Sequence, residues 1–499
     1  MRTGRASLLC IGVASLLLLV SRAAGAETRL VAEPDRAVFD QLGGGSRSFR
    51  ISSTILGESR RVVVHLPPSF ARSPASRRFP TTVVLDGAML LRPVVIASEV
   101  MVAEGQIPES VIVAIENTDD FEGRVRDFTP PGLSVSGSDL RQGGDRFLDF
   151  VEDELLPALE TQFRAGSPRT IVGASSSGIL VTWSAATRDT FRFHLALDAP
   201  TQQGDQFLGK RLLQRARAKS SPIRYASIEA RFGWSDEAWN RLEAAAPPSW
   251  LLYRQRLEHE SHNSMQFVGT YIGLRELFRD YAMFTVQDAP TTSILPAYER
   301  LTAPYGATMT PPEPLLMQVI EDLLMEGRGA EARAAFEALR SGYGEPDDAE
   351  GLRARIAEVE RKPPPTETVE GLLGTPFPTP EEAKDYLGVW EGEKWVNPEI
   401  RNRFVLKLVA EGGKVTGTMT TWTDSHAEHV SVLQYLKITA AGLSFGEMNG
   451  MRPRGMILHE GTRDGQELSG SVRFGGINFD PPDGRGAPNI RFVLRKVTQ

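Results

Sequence analysis

The segment Arg169-Thr-Ile-Val-Gly173-Ala-Ser175-Ser-Ser-Gly178 passes from a β-branched apolar stretch, through small residues, into a helix-compatible one. A serine on such a tight strand-to-helix turn is a nucleophile elbow, and small residues two places either side of it let the backbones approach. Gly173 and Ser177 hold those places around Ser175, so a serine stands where G-x-S-x-G has its second glycine. Ala174-x-Ser176-x-Gly178 is a second register. Ser175 leads because Gly173 directly follows the apolar stretch. A serine hydroxyl needs a base within reach, and the base needs an orienting acid. The order expected along the chain is serine, acid, histidine.

Three histidines follow in this region. His194 falls in an apolar strand and reads as a core residue. His262 lies in the polar run Glu258-His-Glu-Ser-His262-Asn-Ser264 before a helix expected over 271–281, where a loop after the last strand would present the base; His259 is its rival. For the acid, Glu229 ends the strand-like Arg224-Tyr-Ala-Ser-Ile-Glu229 and leads; Asp236 is the alternative. A developing oxyanion needs two backbone N–H donors. Ser176 supplies one, and the turn Leu85-Asp-Gly87-Ala88 supplies the other through Gly87 or Ala88. Arg124 and Arg126 are candidates for an anionic substrate; ion pairs with Asp119, Asp120 or Asp127 are the competing reading.

These residues need a scaffold, and the pattern supplies one. Between about 45 and 285, short β-branched runs (62–66, 81–85, 111–115, 170–172, 194–197) alternate with helical stretches such as 147–163. That alternation predicts a largely parallel sheet flanked by helices. Residues 286–362 read as helical: Glu313–Met325, Gly329–Leu339 and Ala349–Val359. The first two are like a tetratricopeptide-type hairpin, read as a packing spacer rather than a peptide-binding surface. One hairpin is not an array. Lys362-Pro-Pro-Pro365 opens a stiff linker to about 384. Alternating strands then predict an antiparallel barrel or sandwich over 385–499, with turns at Glu411-Gly-Gly and Arg463-Asp-Gly.

Several stretches in order, Val64-His-Leu-Pro-Pro68, Val84-Leu-Asp-Gly87, Ile112-Val-Ala-Ile-Glu-Asn-Thr118, Arg124-Val-Arg-Asp-Phe-Thr-Pro130, the elbow, and His262-Asn-Ser264 with Gly273-Leu-Arg-Glu-Leu-Phe278, carry a resemblance. Over about 230 residues the chain resembles the esterase family that includes enterochelin esterases and related siderophore trilactone hydrolases. The resemblance implies an α/β-hydrolase fold, Ser175 as nucleophile and His262 as base. Ser177 departs from the family's elbow, and no acid is carried over. The strands after 385 are only loosely similar to a lipocalin-type domain.

Composition sets the wider expectations. The chain has 499 residues, 41% hydrophobic and 24% charged, and a formal net charge of −7. That balance argues against nucleic acid as a partner. Arg2 and Arg5, the apolar run Leu8–Val20 and Ala24-Gly-Ala26 form an export signal ending at 26, after which no membrane span is expected. Cys10, the only cysteine, lies inside it. The expectation is a secreted or periplasmic serine esterase for a small-molecule ester, needing no metal or organic cofactor. Two histidines in His426-Ala-Glu-His429 do not make a metal site. Oligomeric state is not legible. The competing class is a hydrolase scaffold that binds without turnover.

Overall fold

The computed structural model describes residues 28–33, 45–118, 120–133, 142–218, 221–284, 294–362, 369–395, 400–422, 428–439, 442–448, 456–475 and 490–497. The export signal lies outside the described residues.

The first sheet has nine strands: β1 (Val31–Ala32), β2 (Ser46–Ser53), β3 (Glu58–His65), β4 (Phe79–Val84), β5 (Val111–Ile115), β6 (Ala165–Ala174), β7 (Phe193–Leu197), β8 (Arg224–Glu229) and β9 (Leu251–Arg256). Their order is β1-β2-β3-β5-β4-β6-β7-β8-β9. Strands β4 to β9 run parallel, and β3 joins antiparallel to β5. All residues of β5, β7 and β8 are buried, because helices cover both faces. That is why β5 and β7 read in the sequence as largely apolar runs rather than alternations; β8 is as buried but carries Arg224, Ser227 and Glu229. Alternate residues serve opposite cores: Leu195 and Leu197 face one, Ala196 the other.

The connections are α1 (Gly87–Ala103), α2 (Phe121–Phe128), α3 (Gly144–Phe150), α4 (Leu156–Phe163), α5 (Ser176–Thr187), α6 (Thr201–Gly204), α7 (Lys210–Arg217), α8 (Asp236–Ala245) and α9 (Met265–Leu277). The helix expected over 147–163 is one continuous run in which a π turn, Val151–Leu155, joins α3 to α4. Pro157 follows that turn. Proline lacks the N–H an interior helical residue would donate, and a widened turn absorbs the missing bond.

Five further helices follow: α10 (Ile294–Glu299), α11 (Thr302–Tyr305), α12 (Glu313–Met325), α13 (Gly329–Tyr343) and α14 (Ala349–Arg361). They pack onto the first sheet's helices. Leu316, Val319, Ile320, Phe336 and Leu339 belong to the same apolar cluster as Leu90, Val94 and Leu274 of α1 and α9. Arg192 ties the junction through Nε to the Pro304 carbonyl at 3.0 Å.

A short helix, α15 (Val369–Leu373), precedes the second sheet. Its strands are β10 (Gly388–Trp395), β11 (Arg401–Glu411), β12 (Lys414–Trp422), β13 (Glu428–Val432), β14 (Tyr435–Thr439), β15 (Gly442–Met448), β16 (Met456–Asp464), β17 (Glu467–Gly475) and β18 (Arg491–Lys496). The order is β13-β12-β11-β10-β18-β17-β16-β15-β14, all antiparallel. The sheet curls into a half-barrel around Trp390, Phe404, Phe445 and Phe492. The turn expected at Glu411-Gly-Gly is present, with Gly412 and Gly413 at φ 58° and 80°.

Candidate active site

Strand β6 ends at Ala174 and α5 begins at Ser176, so Ser175 alone makes the turn. Its φ of 57° and ψ of −126° are strained for a residue with a side chain, costing about 1–3 kcal/mol. The surroundings enforce it. The Ser175 N–H donates to the Leu197 carbonyl at 2.9 Å, and the Ile179 N–H donates to the Ser175 carbonyl at 3.3 Å. A Cβ on Gly173 would sit 2.7 Å from the Ser177 carbonyl carbon and oxygen, and one on Gly178 would sit 2.7 Å from the Ala199 Cβ. The close approaches thus fall at 173 and 178, and position 177 has room for a serine.

His262 lies in the turn between β9 and α9 and is half-buried. Its Nδ1 is 2.6 Å from Oδ2 of Asp198, and Phe232 packs edge-on against its ring at 5.4 Å. With Nδ1–H donating to the carboxylate, Nε2 is left as the acceptor a base requires. Asp198 directly follows β7, is fully buried and has φ 43°. The N–H groups of Ala230, Arg231 and Phe232 donate to its Oδ1 at 2.8, 2.8 and 2.7 Å. One oxygen is held by the backbone and the other is aimed at His262. Ala174 pairs with Leu197 in the sheet, so Ser175 and Asp198 leave neighbouring strands at the same level.

Glu229, expected as the acid, is not the carboxylate that meets His262. Glu229 is fully buried, but its Oε1 accepts from the Trp234 N–H and from Arg254 Nε, both at 2.9 Å, and its Oε2 from Arg256 Nη2 at 3.3 Å. The arginines come from β9, where Ser227 pairs with Arg254 and Glu229 with Arg256. Two neighbouring strands end in a carboxylate; strand-pair charge neutralises the second, and only the first meets the histidine. Asp236 pairs with Arg254 on the surface. Asp198 is the residue sequence reasoning missed, although the strand-end rule applied one strand earlier points to it.

Asp86, in the left-handed region at φ 54°, precedes α1, and its carbonyl takes the N–H groups of Met89 and Leu90. The first N–H groups of a helix have no acceptor inside it, so those of Gly87 and Ala88, and that of Ser176 opening α5, are available to an oxyanion. A Cβ on Gly87 would lie 2.9 Å from the Ile115 carbonyl, so glycine is required there. Arg124 chelates Asp86, with Nε to Oδ1 at 2.7 Å and Nη2 to Oδ2 at 2.8 Å. Asp120 instead caps α2, and Asp119 lies outside the described residues. Arg126 pairs with Asp127 at 2.8 Å and Glu58 at 2.6 Å, the ion-pair reading, within a cluster that also holds buried Arg60. His194 is fully buried, and burial pushes it down to about 3, so it stays neutral in the core. His259 is exposed. His426 lies outside the described residues, and His429 is on β13.

Residues 53–260 match the family model described as Putative esterase. This part of the chain is similar to that esterase family, the one whose motifs it carries. No curated protein matches the chain. Among solved structures, an IroE-like serine hydrolase from Shewanella oneidensis is similar at 26% identity and a TM-score of 0.49, covering 62% of this chain and 99% of its own. An uncharacterised protein from Capnocytophaga ochracea is similar at 17% identity and TM-score 0.45, covering 64% of this chain and 90% of that one. The siderophore hydrolase EstB from Aspergillus nidulans is similar at 17% and 0.39, covering 48% and 97%.

Proposed function

We propose that this esterase-like domain is a serine esterase working through an acyl-enzyme on Ser175. The observation that carries the reading is the 2.6 Å contact between His262 Nδ1 and the backbone-locked carboxylate of Asp198, one strand away from a strained serine. In this mechanism Ser175 Oγ attacks the ester carbonyl carbon while His262 Nε2 takes its proton. The N–H groups of Ser176 and of Gly87 or Ala88 hold the developing oxyanion. The C–O bond to the leaving group breaks, and His262 returns the proton to the departing alcohol. Water, deprotonated by His262, then attacks the acyl carbon, and the acid leaves with Ser175 restored. Asp198 keeps the imidazole in its tautomer and steadies the imidazolium.

The substrates are small carboxylic esters; siderophore trilactones and acylated sugars are the classes to assay first. The chain acts after export, its mature form beginning at Glu27. Among the described residues no helix is long and apolar enough to cross a membrane, and no group of three or more His, Cys, Asp or Glu gathers as metal ligands. The test is hydrolysis of p-nitrophenyl butyrate by the mature protein. Activity is expected for the wild type and its loss for Ser175→Ala; undiminished turnover by that variant would overturn the reading.

A further inference from the structure

The carboxylate of Asp86 plays no part in orienting His262, which has its own acid, yet it is 2% exposed and sits at the turn that offers the Gly87 and Ala88 donors. Every lone-pair position of this carboxylate is used. Oδ1 accepts from Asn117 Nδ2 at 2.6 Å and Arg124 Nε at 2.7 Å; Oδ2 accepts from Ser177 Oγ at 2.6 Å and Arg124 Nη2 at 2.8 Å. An ionised carboxylate has about four such positions. The donors arrive from the loop after β5, from α2 and from the first turn of α5. One side chain therefore ties three segments at the carboxyl edge of the sheet to the turn after β4.

Ser177 is the link that reaches the nucleophile. Its hydroxyl oxygen accepts from the Ala174 N–H at 2.8 Å, immediately before Ser175, while its proton goes to Asp86. The Ala174 carbonyl is also 2.8 Å away, but the single proton favours the charged acceptor. The hydroxyl spans the elbow, bonded to the chain before Ser175 and, beyond it, to the oxyanion turn. A glycine at 177 would offer neither bond.

We infer that Asp86 and Ser177 are positioning residues, a clamp that fixes the distance between the Ser175 nucleophile and the backbone donors of the β4–α1 turn. The inference rests on Ser175 being the nucleophile. The serine at 177 is then a gain in preorganisation rather than a defect of the elbow. Donors aimed at an oxyanion act on charge that appears only in the transition state, so loosening the clamp lowers kcat and leaves KM nearly unchanged. A whole oxyanion donor is worth about 10²–10³-fold in kcat; displacing it without deleting it is expected to cost about tenfold or more.

The experiment compares wild type, Ser175→Ala, Ser177→Ala, Asp86→Asn and the Ser177→Ala/Asp86→Asn double variant in the full mature chain. The readouts are kcat and KM on p-nitrophenyl butyrate, the rate of phosphonylation by a fluorophosphonate, and Tm. Ser177→Ala is expected to lower kcat and phosphonylation of the folded protein together by about tenfold, with KM close to wild type and Tm lowered only by the loss of two buried hydrogen bonds. The double variant is expected to be no slower than the slower single variant, because two parts of one clamp do not add. If Ser175→Ala is inactive while Ser177→Ala keeps wild-type kcat, or if the two losses multiply in the double variant, the clamp is overturned and the nucleophile stands. A loss of kcat that only follows a loss of folded protein, read from Tm, also overturns it. Activity in Ser175→Ala would instead remove the reading on which the clamp depends.

Discussion

Two buried carboxylates lie side by side at the ends of β7 and β8, and their partners separate their roles. Asp198 spends one oxygen on three backbone N–H groups and the other on His262. Glu229 is neutralised by Arg254 and Arg256. Opposite consequences follow from the two amide substitutions. Asp198→Asn keeps the shape but puts an amide where His262 needs an anion; kcat is expected to fall by about 10²–10⁴-fold with Tm little changed. Glu229→Gln removes a buried carboxylate from Arg254, which keeps Asp236 as a partner, and is expected to cost about 1–3 kcal/mol of stability, while kcat of the folded protein stays near wild type. Paired denaturation curves and steady-state kinetics on both variants check this, and the reverse pattern would return the acid to Glu229. The sequence could not rank these residues, because both are strand-end carboxylates and the deciding arginines come from β9, a strand recognisable only through its pairing.

At the level of elements, the elbow is a strand, one strained residue and a helix, and its geometry is set by two glycines. Gly173→Ala would drive a Cβ to 2.7 Å from the Ser177 carbonyl. That contact involves backbone atoms that cannot rotate away, so a destabilisation of about 1–3 kcal/mol is expected, with phosphonylation of the folded fraction slowed; a Tm and labelling rate equal to wild type would show that the turn is looser than described. Of the parallel strands, β4, β5, β6 and β7 were legible because burial makes them largely apolar runs, as in Val111–Ile115; β9, half-buried and carrying two arginines, was not. Strand β2 was not, because it alternates buried with exposed or half-buried residues along Ser46–Ser53 without a hydrophobic majority. The half-barrel's β11, β12 and β17 stood out by alternation and glycine turns. Strands β10 and β13 did not: β10 mixes charge and glycine, and β13 presents exposed residues at an edge of its sheet.

Over the whole molecule, the hydrolase sheet and the helices after it share one apolar cluster, so residues 294–362 complete the fold rather than decorate it. Hydrophobic spacing marked α12 to α14 as helices, but which surface they cover depends on Tyr281, Tyr298 and Tyr305, whose neighbours come from distant parts of the chain. The same burial sets a pH dependence. His194 lies buried in the middle of the sheet, and burial, with the nearby charge of Arg215, lowers it to about 3 from 6.5. Above pH 6.5 both folded and unfolded forms are neutral and the residue contributes no pH dependence. As pH falls below 6.5 the unfolded chain takes up a proton that the folded chain refuses, so stability declines from there towards pH 3. His194→Phe removes that proton uptake; urea denaturation at pH 7 and pH 4 is expected to show a smaller loss for the variant than for wild type. An equal loss would place the acid sensitivity elsewhere.

The nucleophilic role of Ser175 is tested most directly by covalent labelling. The folded mature protein is treated with a fluorophosphonate, and intact mass and peptide mapping locate the adduct. One phosphonyl group on Ser175 in the wild type, and none on Ser175→Ala, is the expected result. A folded wild type that never labels, or a Ser175→Ala variant that labels as fast, would contradict it.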